Sequence, residues 1–190
     1  YVKRLQLDLY QAQNRGGRGK TATTTRSEDF VEKVFVASTH SYLMIFTDKG
    51  KVYWLKVHEL PQGSRQSRGK PVVNLINIAK DEKIAAVLPI REFQEGHFLV
   101  FATAKGYIKK TDMMSFSTPR SSGLIALSID DDDSLINVAP TRGNDDILIG
   151  TRMGMAIRFS EDDVRPMGRT ARGVRAIKLK KEGDAVVGMV

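Results

Sequence analysis

Gln13-Asn14-Arg15-Gly16-Gly17-Arg18-Gly19-Lys20 carries the most pronounced chemical bias in this chain of 190 residues. Three glycines let a backbone approach a phosphate closely, and Arg15, Arg18 and Lys20 bring charge, the arginines with forked donors suited to phosphate oxygens. A flexible basic surface loop has the same composition. Gly19-Lys20-Thr21 nearly completes a phosphate-binding P-loop, but Asn14 stands where its first glycine belongs and the β-branched run that follows is a poor helix start, so nucleotide hydrolysis is not expected. Basic residues cluster again around three later glycines. Arg65, Arg68 and Lys70 flank Gly69, Arg120 precedes Gly123, and Arg165, Arg169, Arg172 and Arg175 surround Gly173. We read these as further contacts to a polyanionic backbone.

Other chemistry-bearing residues point nowhere specific. Asp130 to Asp133 are consecutive, so their side chains cannot converge on a cation as spaced ligands do; a solvated acidic turn is expected. His40, His58 and His97 have no metal or triad spacing, and no Gly-x-Ser-x-Gly elbow occurs. The chain is expected to be non-catalytic, with no metal and no cofactor. Lys and Arg number 30 against 22 Asp and Glu, a formal charge of +8 that favours a polyanionic partner. There is no cysteine, which excludes disulfides and thiolate metal sites and is compatible with a reducing cytoplasm. No apolar run is long enough for a membrane span and no leader pattern opens the sequence, while Tyr1 reads as the middle of an element.

The elements that would position the basic segments form an internal repeat. An apolar run, Thr-x-x-Gly and a second strand-like run recur at Tyr42 to Gly50, Phe98 to Gly106 and Ile147 to Gly154. A second landmark glycine (Gly69, Gly123, Gly173) follows 17 to 19 residues after each turn glycine, and Gly19 fits a first unit whose hairpin is truncated. A third landmark, an acidic turn and a short apolar strand, recurs at Glu32 to Val36, Glu82 to Val87, Ser134 to Val138 and Asp184 to Met189. Leu5, Leu7 and Leu9 alternate with polar residues at the period of a strand. The aromatics Tyr42, Phe46, Tyr53, Phe98 and Phe101 are expected in the core between units. About four strands per fifty residues is the period of a propeller-type blade. An all-β, propeller-like domain of about four blades is therefore expected over 1–190, with approximate boundaries 1–39, 40–90, 91–141 and 142–190. We read it as a piece of a larger ring or spiral.

Gln13, Arg15, Gly16, Gly17, Arg18 and Gly19 match the basic box of the DNA gyrase A C-terminal domain family, Gln-Arg-Arg-Gly-Gly-Arg/Lys-Gly, with Asn14 in place of an arginine. With the repeated hairpins, a basic residue four places after the turn glycine (Arg4, Lys110, Arg158) and Arg172-Gly173-Val174, nearly the whole chain resembles that family. Trp54 breaks the basic position in the second unit. The resemblance implies a β-pinwheel of normally six blades that exchange strands and wrap duplex DNA around a basic perimeter. Gln13, Arg15, Gly16, Gly17, Arg18, Gly19 and Lys20 would contact DNA, together with Arg65, Arg68, Lys70, Arg120, Arg169, Arg172 and Arg175. It further implies a cytoplasmic assembly with the remainder of the gyrase A protein and with the gyrase B protein, an A2B2 ATP-dependent type II topoisomerase, and places the acidic loop away from the DNA. The related C-terminal domain of topoisomerase IV and a protein-interaction propeller are the alternatives.

Overall fold

Thr-x-x-Gly closes the same hairpin three times, and the computed structural model, which describes residues 1–7 and 30–190, shows how. The glycine N–H donates to the threonine carbonyl at 3.0 Å (Gly50 to Thr47, Gly106 to Thr103) and 3.1 Å (Gly154 to Thr151). The threonine hydroxyl accepts the next strand's N–H from Lys51 (3.3 Å), Tyr107 (3.2 Å) and Met155 (3.1 Å). Each glycine has positive φ, between 78° and 85°, where an L side chain is strained.

Among the described residues eleven strands follow in chain order: β1 (Tyr42–Thr47), β2 (Lys51–Lys56), β3 (Ile84–Ile90), β4 (Phe98–Thr103), β5 (Tyr107–Asp112), β6 (Leu124–Ile125), β7 (Leu135–Thr141), β8 (Asp146–Thr151), β9 (Ala156–Ser160), β10 (Val174–Arg175) and β11 (Val186–Met189). They form three antiparallel sheets, ordered β3-β1-β2-β6, β10-β5-β4-β7 and β11-β8-β9. The all-β architecture matches the sequence reading. The outer strand of each four-stranded sheet comes from the following repeat. Leu124 of β6 pairs with Val52 of β2, and Val174 of β10 pairs with Ile108 of β5. The bridge between Val2 and Lys70 repeats this exchange at the start of the chain.

Exchange explains why two glycine landmarks keep step. The Gly50 carbonyl accepts from Ala126 and Leu127 N–H, and the Gly106 carbonyl from Ala176 and Ile177 N–H. A Cβ on Gly50 would lie 2.2 Å from the Leu127 oxygen, and one on Gly173 2.3 Å from the Ile108 oxygen. Backbone meets backbone at these places, so no side chain fits.

The central hairpin strands are buried on both faces, which is why they read as continuous apolar runs. Met44 and Phe46 of β1 join Leu99 and Phe101 of β4 in one core, whose centre is an edge-to-face pair of Phe46 and Phe101 with centroids 5.6 Å apart. Val100 and Ala102 point the other way, into a second core with Ile147 and Ile149 of β8. Leu43, Ile45 and Tyr53 form a third with Leu55 and Val57, against which Val2 packs.

Two expected strands are not formed by the described residues. Val34 to Val36 lie in an exposed segment without a ladder, because the corresponding strands (β3, β7, β11) pair with the first hairpin strand of their own repeat and the described residues hold no such strand for the first repeat. Leu5 and Leu7 are not a strand either. Leu5 aligns with Leu55 and Thr111 near the end of a strand, and Leu7 aligns with the start of the 3-10 turns Val57–Glu59, Met113–Phe116 and Glu161–Asp163. Leu9 lies outside the described residues.

Candidate nucleic-acid interface

Each exchanged strand is preceded by a loop, and the loops carry the basic residues. In register, Arg65-Gln66-Ser67-Arg68-Gly69 superposes on Arg169-Thr170-Ala171-Arg172-Gly173, an Arg-x-x-Arg-Gly pattern that Arg15 to Gly19 shares in sequence. The third loop reads Pro119-Arg120-Ser121-Ser122-Gly123 and keeps a single arginine. The box residues Gln13, Arg15, Gly16, Gly17, Arg18, Gly19 and Lys20 lie outside the described residues. Arg68, Lys70, Arg120, Arg172 and Arg175 are exposed, and Arg65 and Arg169 are half-buried.

The loop backbones are held from beneath. Lys3 Nζ donates to the carbonyls of Ser64 (3.1 Å), Arg65 (3.0 Å) and Ser67 (2.7 Å). Lys109, fully buried, donates to the carbonyls of Ala126, Gly168 (3.2 Å) and Arg169 (2.6 Å). Burial, and after it the neighbouring Arg169 guanidinium, pulls the Lys109 ammonium down to about 7. Ser128 completes the seat, its Oγ donating to the Thr170 carbonyl at 2.6 Å and its N–H to the Ala171 carbonyl at 3.3 Å.

Strand exchange also assembles a cationic cluster. Arg175 sits opposite Tyr107 in the β10–β5 ladder and donates from Nη2 to the Tyr107 hydroxyl at 3.0 Å. The Arg172 guanidinium stacks 4.2 Å from the Tyr107 ring centroid and that of Arg175 lies 5.4 Å away. One tyrosine thus restrains two forked donors, lowering the entropy lost when they grip an anion.

The acidic turn, expected away from the basic rim, belongs to this cluster. Asp130 pairs with Arg172 at 2.6 Å and Asp132 pairs with Lys105. Asp133 Oδ1 accepts the Lys105 N–H at 2.9 Å, as Asp184 Oδ1 accepts that of Met153 at 3.0 Å, so the repeated acid caps the neighbouring hairpin. A phosphate reaching Arg172 competes with Asp130 for its guanidinium. Asp130→Asn is therefore expected to raise duplex affinity by up to about fivefold at low salt, since a half-exposed ion pair is worth about 0.2–1 kcal/mol. Fluorescence anisotropy with a labelled duplex checks this, and an unchanged or weaker affinity would count against Arg172 as a contact.

The basic position four residues after the turn glycine splits into different roles. Arg158 is exposed and pairs with Asp146. Lys110 is buried, donating to the Glu161 carbonyl at 2.8 Å with its carboxylate 3.7 Å away, and is lost to any outer surface. The sequence reading singles out none of Lys3, Lys109 and Tyr107, and takes Asp130 as part of a solvated turn where the structure pairs it with Arg172. The available signal was a lysine three places after the turn glycine, recurring in the unit that precedes an Arg-x-x-Arg-Gly loop.

The fold and site together define a strand-exchanging, propeller-like repeat domain with an arginine-bearing loop at each junction. A family described as the DNA gyrase C-terminal domain, beta-propeller, matches residues 1–38, 41–91, 97–142 and 145–190. The chain belongs to that family. It is 47% identical over its whole length to the DNA gyrase A protein of Salmonella typhimurium, covering 22% of that relative, and 51% identical over 92% of its length to that of Clostridium acetobutylicum, covering 21%. It thus spans about a fifth of the curated relatives it matches. Among solved structures, all of the chain superposes on 57% of the C-terminal domain of a DNA topoisomerase IV (TM-score 0.81, 32% identity). It also superposes on 60% of a DNA gyrase A C-terminal domain (TM-score 0.76, 25% identity). Among the described residues no helix is long and apolar enough to cross a membrane.

Proposed function

We propose that the chain wraps and bends duplex DNA around successive arginine loops, as the non-catalytic wrapping part of a gyrase that introduces negative supercoils. The observation that carries this reading is the recurrence of one basic loop at one structural position, the junction of exchanged strands. Arginine-bearing loops at the same junction of successive blades fall along one rim, and a spaced positive rim bends a duplex. Forked guanidinium donors meet phosphate oxygens and read no base, so binding is sequence-tolerant. The working assembly is the remainder of the gyrase A protein with the gyrase B protein, as A2B2 in the cytoplasm, on a full ring of six blades. DNA cleavage and ATP hydrolysis belong to those other parts, and this domain needs no cofactor.

Six arginines, two each from 13–20, 65–69 and 169–173, meeting one phosphate apiece give a log-log salt slope of about −5. Titrating a mixed-sequence duplex between 50 and 200 mM salt measures it. A slope near zero, or strong preference for one sequence of equal flexibility, would remove the wrapping reading. The high structural similarity to a topoisomerase IV domain favours a second reading, in which the box wraps weakly. Supercoiling of relaxed plasmid by a reconstituted enzyme carrying Arg15→Ala and Arg18→Ala separates the two. Retained wild-type negative supercoiling would mean that the segment 13–20 is only a basic loop.

A further inference from the structure

Lys3 and Lys109 hold the same place in two repeats. Val2 and Ile108 pair with the residues after Gly69 and Gly173, and each lysine is the next residue in the chain. Each ammonium has three N–H donors and no acceptor; Lys3 meets three carbonyls on or beside one loop, and Lys109 meets two on or beside its loop and a third, that of Ala126, from the repeat before it. For Lys109 the match is what makes burial of a charge tolerable, with the Phe101 ring centroid 5.2 Å away on another side. The seated loops are those with two arginines in register, Arg65 with Arg68 and Arg169 with Arg172.

The middle repeat supplies the contrast. There Val52 pairs with Leu124, and the next residue is Tyr53, whose ring lies against Gly123 and whose hydroxyl donates to Glu82 at 3.4 Å. Among the described residues no lysine donates to a carbonyl of the loop it faces, and that loop has Pro119 and Ser122 where the others have arginine. Among the described residues the ammonium and the arginine pair occur together or not at all. A carbonyl turned inward onto an ammonium is a negative dipole end withdrawn from the outer face, which is the face the arginines need to be electropositive.

We propose that Lys3 and Lys109 are positioning residues for DNA binding, each seating the inward carbonyls of one Arg-x-x-Arg-Gly loop so that its two arginines face the duplex backbone. The proposal rests on the DNA-wrapping reading above. Neither lysine touches DNA in this scheme, so removing one acts through its loop.

The test uses the 190-residue chain and a mixed-sequence duplex. Lys109→Met keeps the length and apolar stem while deleting the donors; with Arg169 and Arg172 unseated, the salt slope is expected to become shallower by about two. Lys3→Met does the same through Arg65 and Arg68, and because Lys3 is only half-buried this variant decides the matter if Lys109→Met fails to fold. The chain has no cysteine, so Lys109→Cys carries a unique thiol. Aminoethylation in denaturant followed by refolding rebuilds an ammonium at lysine length and is expected to restore the slope, whereas carboxamidomethylation is not. Equal rescue by both adducts would overturn the proposal. So would folded lysine variants with the wild-type slope, provided Arg169→Ala with Arg172→Ala lowers it. If that arginine pair also leaves the slope unchanged, it is the DNA reading of the loop that fails.

Discussion

Gly50→Ala is expected to destabilise the chain by about 4 kcal/mol, and Gly154→Ala, at the same turn position, by only about 1–2 kcal/mol. Both glycines have positive φ, 78° and 83°, and the left-handed conformation alone costs an alanine about 1–2 kcal/mol. The remainder is the junction. A Cβ on Gly50 would meet the Leu127 oxygen at 2.2 Å, whereas one on Gly154 would meet nothing within 4 Å. Relief requires moving the exchanged segment off the hairpin, breaking the Ala126 and Leu127 N–H bonds to the Gly50 carbonyl and exposing Leu127, now 1% exposed. Uncovering one such leucine forfeits about 1.5–3 kcal/mol. Urea unfolding of the two variants measures the difference directly. Equal losses would show that the glycines serve their turns alone and that the exchange contact carries no stability.

Glu161→Ala is expected to cost about 3–5 kcal/mol, the usual result of leaving a buried charge without its partner. Glu161 is fully buried at the first position of a 3-10 turn. Its Oε2 accepts from the Thr141 hydroxyl at 2.7 Å and Oε1 from the Asp145 N–H at 2.9 Å. Lys110 Nζ lies 3.7 Å from Oε2, itself almost wholly buried, with the Phe98 ring centroid 4.9 Å away. Truncation strands the ammonium and both donors together. The double replacement Glu161→Leu with Lys110→Met removes both charges at similar volume and is expected to lose far less. Thermal or urea unfolding of single and double variants forms the cycle. A single variant as mild as the double would mean that water reaches Lys110.

The repeat and its register could be read along the chain because their causes are local. Thr-x-x-Gly is a hairpin closed by bonds within four residues, and β1 and β4 announce burial on both faces by being apolar without alternation. The family resemblance rests on a short basic segment and on the repeated hairpins, both equally local. Period-2 alternation misled at Leu5 and Leu7, where two leucines span the end of a strand and the start of a 3-10 turn. Val34 to Val36 have strand composition, but a ladder needs a partner and composition does not supply one.

By itself, the sequence determined the strands of each hairpin, the turn positions whose positive φ calls for glycine, and the spacing of basic residues that points to a phosphate backbone. Only the tertiary structure decided that those glycines exist for one another, that Lys109 and Lys110 turn inward while Arg158 turns out, and that Asp130 rests on Arg172. The physical reason is separation along the chain. Arg175 and Tyr107 stand 68 residues apart, and Lys109 and Arg169 stand 60 apart. A residue's own neighbours fix its strand, but which face of the strand meets a core, a carbonyl or solvent is set by the repeat that folds against it.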